Sequence, residues 1–300
     1  SDDVVMEIDL SFSQAAVVMP VEYSTLRFIV VGAGGTGSFI VPALARLIFE
    51  LKQQQNKSAE MLIVDPDVVE NGNIPRSNFC FAEVGRYKAQ TLAERVATAW
   101  GIETSFSCEK FDPERHLKSS NSDYRSLTII VGCVDNYLAR RKMHLALDEF
   151  RGYGDASRLW WIDGGNGRSS GQVLLGSTTK RLKPEQYFTG TSICRALPAP
   201  SLQHSDLLEP ERIETKSDVS CPERVSLGEQ GLNVNQRVAI EIAEILSSML
   251  LTRSLKRYAV YIDVESGTTR STYITPTAVF GKSDRPCFDG KTNRRQTSCE

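Results

Sequence analysis

The stretch FIVVGAGGTGSF, Phe28–Phe39, constrains this chain more than any other. An apolar, β-rich run ends in Gly32, Gly34 and Gly37, spaced GxGxxG, and a helical pattern follows at once. Strand, glycine turn and helix start, in that order, form the context in which this motif binds nucleotides. Glycine permits the tight turn and lets the backbone approach a phosphate with no Cβ in the way. The helix then offers free N–H groups and the positive end of its dipole. An ordinary strand–helix turn would also use glycine. Three of them in this context favour a nucleotide site, although the turn alone does not choose the nucleotide.

Strands are expected at Leu26–Val31, Met61–Asp65, Glu103–Ser107 and Leu127–Gly132, with helical patterns between most of them. Such alternation predicts parallel pairing through right-handed crossovers. The first helix should run to about Lys52, and Pro42 inside it predicts a kink or a place near its start. Leu159–Asp163 and Gly171–Ser177 flank the turn GGNGRSS, which is too short for a crossover helix, so that pair should be antiparallel. Val238, Ile242, Ile245, Leu246 and Met249 mark the apolar face of a long helix. Tyr258–Val264 and Arg270–Pro276 around Ser266–Gly267 predict a hairpin. The expected fold class is α/β: a Rossmann-like, mostly parallel sheet with helices on both faces, extended by antiparallel strands at the C-terminal side. Residues 1–25 read as an N-terminal arm with a short strand, about 180–230 as an irregular proline-bearing span, and 281–300 as a loose tail.

Several side chains fall where ligands bind in such sheets, at the carboxyl ends of strands. Asp65 closes the second strand, where an acid can hold ribose hydroxyls or cap the turn before Pro66. The loop DPDVVENGNIPRSNF, Asp65–Phe79, has too many Asn, Gly and Pro for regular structure. Lys88 falls in the first turn of a helix marked by Ala89, Leu92, Ala93 and Val96. A cation there opposes the helix dipole and calls for an anion, either a phosphate or solvent screening. Asp135 lies just past the fourth strand, with a helix beginning near Asn136, and can hold a divalent metal or cap that helix.

The net charge of −2 leaves no basic field to hold nucleic acid or an anionic membrane. No apolar run approaches the length of a membrane span, and the acidic start SDDVVMEIDL does not read as a signal peptide, so a cytoplasmic protein is expected. The seven cysteines, Cys80, Cys108, Cys133, Cys194, Cys221, Cys287 and Cys299, are scattered and odd in number, which argues against a disulfide framework. No CxxC occurs and the three histidines are well separated, so no structural metal is expected. Cys133 reads as core packing.

Taken in order, GAGGTGS, DPDVVE, GNIPRSNF, GRYKAQ and GCVDNYLAR resemble the ThiF/MoeB/HesA family, the adenylating enzymes that include the ubiquitin-activating enzymes. The resemblance runs from about Leu26 to Pro276. Asp65, Asp67, Val68, Asn73, Arg76, Lys88, Asp135, Asn136 and Arg140 match the family pattern, and Ser77 stands where glutamine is usual. LPAPSLQH and EQGLNVNQ look closest to bacterial stand-alone ThiF-type proteins such as those of the PRTRC gene systems. The resemblance implies a single adenylation domain over residues 1–300, its irregular span acting as a crossover loop. It implies a homodimer using ATP and Mg²⁺ to activate the C-terminal glycine of a small ubiquitin-like, β-grasp protein. Gly32, Gly34, Gly35 and Gly37 would cradle the nucleotide and Asp65 would hold its ribose, with Asp67 and Asn136 among the nucleotide contacts. Asn73, Arg76 and Lys88 would meet the phosphates, and Asp135 would bind Mg²⁺. No Walker sequence competes, since the late GKS at Gly281–Ser283 has Pro276 where the upstream glycine belongs.

Two departures stand out. Residues 1–25 contain no arginine, although relatives often send one into the partner subunit's site. The CxxC pairs of many relatives are also missing. Some family members pass the activated carboxyl to a cysteine. Cys221, shortly before the long helix, is the first choice, no catalytic cysteine at all the second, and Cys194 the third. Other readings remain. An NAD(P)-dependent oxidoreductase would share Gly32–Gly37 and Asp65 but leave Asn73, Arg76, Lys88 and Asp135 without a joint purpose. A related enzyme acting on a small molecule or a tRNA base, or a catalytically dead scaffold, would keep the same fold.

Overall fold

The computed structural model describes residues 9–118, 125–149, 157–210 and 232–280. Its centre is an eight-stranded sheet. In chain order the strands are β1 (Thr25–Val31), β2 (Ser58–Val64), β3 (Thr104–Ser107), β4 (Ser126–Gly132), β5 (Leu159–Asn166), β6 (Ser170–Gly176), β7 (Arg257–Asp263) and β8 (Thr268–Tyr273). They lie side by side as β8-β7-β6-β5-β4-β1-β2-β3. The five strands from β3 to β5 are parallel, and β6, β7 and β8 continue the sheet antiparallel. The expected fold class is therefore the observed one. The short turn closed by Gly167 N–H to the Ser170 carbonyl at 2.8 Å forces the reversal between β5 and β6.

Four long helices cover the two faces: α1 (Gly35–Gln55), α2 (Lys88–Trp100), α3 (Tyr137–Glu149) and α4 (Val234–Leu250). The alternation of side chains along each strand decides which face receives which helix. Leu26, Phe28 and Val30 of β1 pack with α1, α2 and α4, for instance against Leu44, Leu92 and Ile242. Ile29 and Val31 point the other way, into a smaller core with Met143 and Leu147 of α3. Both cores continue through β5, with Trp160 on one side and Trp161 on the other.

The boundaries differ from expectation in informative places. β2 begins at Ser58 rather than Met61, because Ser58–Glu60 pair in register with Thr25–Arg27 although their side chains are not buried. Pro42 sits within α1 with helix on both sides. A proline leaves the carbonyl four residues back without its N–H partner. Here that carbonyl, Ser38 O, accepts the side-chain amide of Asn78 at 3.3 Å, and Ser38 Oγ accepts the Asn78 backbone N–H at 2.8 Å. The gap in the helix ladder thereby fastens the loop that follows β2.

The N-terminal arm does carry a short strand. Val17–Val18 runs parallel to Ile193–Cys194, which pairs antiparallel with Phe188–Thr189. Besides these last two short strands, the irregular span shows single helical turns up to residue 210, at Pro184–Tyr187, Pro200–Gln203 and Ser205–Leu208. The rest of that span, with Cys221, and the tail from residue 281 lie outside the described residues. No helix among the described residues is long and apolar enough to cross a membrane.

One buried ion pair joins α3 to the sheet. Arg140 Nε lies 3.1 and 3.2 Å from the two carboxylate oxygens of Asp163, which is completely buried. Removing one partner strands the other charge in a low-dielectric core. Arg140→Ala is therefore expected to cost about 3–5 kcal/mol in stability, read as a lowered urea midpoint with an unchanged slope.

Candidate functional site

The parallel strands bring three chain segments to one edge. Gly32 follows β1, Asp65 follows β2 and Cys133 follows β4. The space between β1 and β4 is the point where the strand order reverses, the place where this kind of sheet binds ligands. Gly32 has φ +92°, and a Cβ on it would stand 2.6 Å from the Cys133 carbonyl oxygen. A side chain is excluded there by both backbone conformation and space.

Asp65 serves the turn directly. Its Oδ2 accepts the Ala33 N–H at 2.6 Å, and its Oδ1 accepts the Asp67 N–H at 2.8 Å. The second bond is an Asx turn ahead of the loop. Burial pushes the Asp65 carboxyl above its ordinary pKa, opposed by these two N–H donors and by the charge of Lys88. Asp65 thus caps the turn, the second of its two readings, and it also lines the cleft.

The loop after Asp67 is self-supporting. The Glu70 N–H donates to Asn73 Oδ1 at 2.9 Å, and the Asn73 N–H donates to the Glu70 carbonyl at 2.9 Å in return. The turn Asn71–Arg76 then carries Arg76 at its last position. Farther along, Arg95 of α2 donates to the Asn78 carbonyl at 2.6 Å and to Glu83 at 2.7 Å, clamping the loop against the helix. Lys88 opens α2 and is only 8% exposed. Its Nζ lies 3.3 Å from Asp67 Oδ2, so Asp67 supplies the anion that a cation at a helix start calls for.

Past β4, Asn136 and Asp135 divide the tasks open to them. Asn136 Oδ1 accepts the Ala139 N–H at 2.8 Å and caps α3. Asp135 is left exposed, with no hydrogen bond or ion pair among the described residues. Carboxylate oxygens suit Mg²⁺, which is commonly held by one or two carboxylates together with substrate phosphates. Asp135 fits that requirement.

A cleft of about 890 Å³ joins these groups. Gly32, Gly34, Gly35, Asp65, Asp67 and Asn73 line it, as do Arg76, Lys88, Asp135 and Asn136. Gly37 does not. The resemblance puts it in the nucleotide cradle, but it stands behind the turn, where a Cβ would overlap the Gly32 carbonyl. Its lack of a side chain lets α1 pack onto the strand end. Cys133 packs against the main core as expected, and it also lines the cleft. Thr36, Asn166 and Asn235 line it too and escaped the sequence reading. Asn235 had a signal: it shares the spacing of Ala239, Ile242 and Leu246, a polar residue on an apolar helical stripe. Cys194 is away from the cleft. It is fully buried, its Sγ donates to the Ala196 carbonyl at 3.0 Å, and burial raises its thiol to about 12.

The model of the ThiF family matches residues 21–187. The chain belongs to the ThiF family. Among solved structures, Escherichia coli MccB with AMPCPP and MccA superposes with a TM-score of 0.53 at 14% identity, covering 83% of this chain and 64% of that one. MccB with ATP gives 0.52 at 16% identity, with the same 83% and 64% coverage. PaaA gives 0.50 at 12% identity, again covering 83% and 64%. The chain thus spans 64% of the length of these structures, and at such identities the likeness is one of fold. No curated protein matches the chain. ThiF membership removes the ground for the oxidoreductase reading, which rested on the glycine turn and Asp65 alone.

The thiols offer a direct check of this geometry. Alkylation of the folded protein at neutral pH should modify exposed Cys80 and spare Cys194, with both modified after denaturation. Peptide mapping by mass spectrometry reads the outcome, and native labelling of Cys194 would contradict its placement.

Proposed function

We propose that this chain adenylates the C-terminal glycine carboxylate of a small ubiquitin-like, β-grasp protein, using ATP and Mg²⁺. The observation that carries the proposal is the meeting of Arg76, Lys88 and Asp135 in one cleft beside the glycine turn. A carboxylate oxygen attacks the α-phosphorus, the bond from that phosphorus to the pyrophosphate oxygen breaks, and acyl-adenylate and pyrophosphate result. Two anions must approach each other, so the site has to supply positive charge. Arg76 and Lys88 supply it from the loop and from the start of α2. The N–H groups at the start of α1 and the side chain of Asn73 add donors for phosphate oxygens. Asp65 steadies the turn and meets the ribose. Asp135 would hold magnesium, which when bound neutralises charge on the triphosphate oxygens.

Support for a nucleotide and a peptide on one enzyme comes from MccB, whose structures contain ATP, or AMPCPP together with MccA. We extend the proposal to a cytoplasmic homodimer and to a second step at Cys221. There a thiolate would attack the acyl-adenylate, forming a thioester and releasing AMP. Cys194 is unsuited to that step because its thiol is buried and held protonated.

ATP–pyrophosphate exchange with candidate ubiquitin-like proteins tests the reading. Asp135→Ala, Arg76→Ala and Lys88→Ala should each slow exchange by about 10²–10³, the usual effect of deleting one group that stabilises transition-state charge. Cys221→Ala should keep exchange and lose any thioester. Full exchange by Asp135→Ala would sink the proposal.

A further inference from the structure

We infer that Asn235 is a positioning residue for the phosphate cation Arg76, an inference that rests on the nucleotide reading above. Arg76 ends its turn half-exposed at the cleft wall, and its side chain has no hydrogen bond or ion pair among the described residues. A guanidinium on a flexible stem loses about 2 kcal/mol of rotamer entropy when it is fixed. Where no side-chain partner aims it, the backbone beneath it must.

That backbone is held from α4. Asn235 is completely buried, and its Nδ2 donates to the Arg76 carbonyl at 3.0 Å. Its Oδ1 accepts the Asn166 amide, and the same Asn166 amide reaches Thr36 Oγ1 at 3.1 Å. The acceptor role of Oδ1 fixes which end of the amide faces Arg76. The amide occupies the space beside Gly35 where a Cβ would otherwise stand. One side chain therefore joins the Arg76 loop, the start of α1, the end of β5 and the start of α4. The residues around it on α4, Val234, Val238 and Ala239, are apolar, and an apolar side chain would fill this position without needing partners. A buried amide is costly unless satisfied, and this one spends a donor on the residue that carries the phosphate cation.

The test is a double-mutant cycle on the full chain, reading calorimetric affinity for two probes, Mg·ATP and adenosine. Arg76→Ala should weaken Mg·ATP by about 10-fold or more and leave adenosine unchanged. Asn235→Ala should weaken Mg·ATP by about 5–10-fold, with adenosine unchanged within about twofold. The double variant should bind Mg·ATP within about twofold of Arg76→Ala alone. Equal weakening of both probes, or a double variant that multiplies the two losses, overturns the inference and leaves the nucleotide reading standing. A wild-type protein that binds ATP no better than adenosine overturns both. Asn235→Leu, which keeps the volume and removes the donor, replaces the alanine variant if that does not fold, with the same expected and overturning patterns.

Discussion

The parallel pairing of β1 with both of its neighbours is the constraint on which the rest depends. Val31 lies level with Val64 on one side and with Gly132 on the other. Three strands therefore stop at one height, and their next residues, Gly32, Asp65 and Cys133, meet at one edge. Backbone bonds lock this arrangement: the Gly32 N–H donates to Val64 O at 2.9 Å, and the Cys133 N–H donates to Val31 O at 2.8 Å. Antiparallel pairing at either side would send one of the three loops to the opposite edge. The antiparallel strands are accordingly confined to the far side, beyond β5.

Converging loops still need fixed distances, and missing side chains set several of them. Gly32, Gly35 and Gly37 each leave space that a neighbour fills: the Cys133 carbonyl, the Asn235 amide and the Gly32 carbonyl. The turn is thus packed as a piece of core, although it faces a cleft. Polar ties finish the work where packing cannot reach. Asn78 fills the gap that Pro42 leaves in α1, Asp65 holds the Ala33 N–H, and Asn73 closes the turn that ends in Arg76.

What could be read in advance follows from distance along the chain. Gly32, Asp65, Lys88 and Asp135 each sit at a strand end or a helix start, and such boundaries leave local patterns. Asn235 and Asn166 leave almost none. Asn235 meets Arg76 across 159 residues and Asn166 across 69, so their partners are visible only once the chain is folded. A lone asparagine near a helix start reads as a surface or capping residue. What compensates Pro42 is hidden for a related reason, since that amide comes from a different loop. Between Asp135 and Asn136 either could have capped α3, and only the Ala139 N–H distinguishes them. Gly37 showed its type but not its side of the turn, because GxGxxG encodes both cradle and packing glycines in one string.

The Lys88–Asp67 pair shows how such a site can hold a buried cation and still leave it open to an anion. Lys88 is mostly buried at the start of a helix, where the dipole disfavours a cation, so it requires a counter-charge. Asp67 provides one, but its side chain is about two-thirds exposed, at 65%. An ion pair with a well-solvated partner contributes only about 0–1 kcal/mol. Asp67 is therefore enough to hold Lys88 in place and, on the proposed reading, too weakly bound to compete with a phosphate bearing more charge. The Asp67 backbone stays fixed in either case, because its N–H is held by Asp65 and its carbonyl accepts the Lys88 N–H at 2.9 Å. Exchange of the counter-ion then requires only a side-chain rotation at the cleft mouth, with the turn, the loop and the helix start left where the sheet has put them.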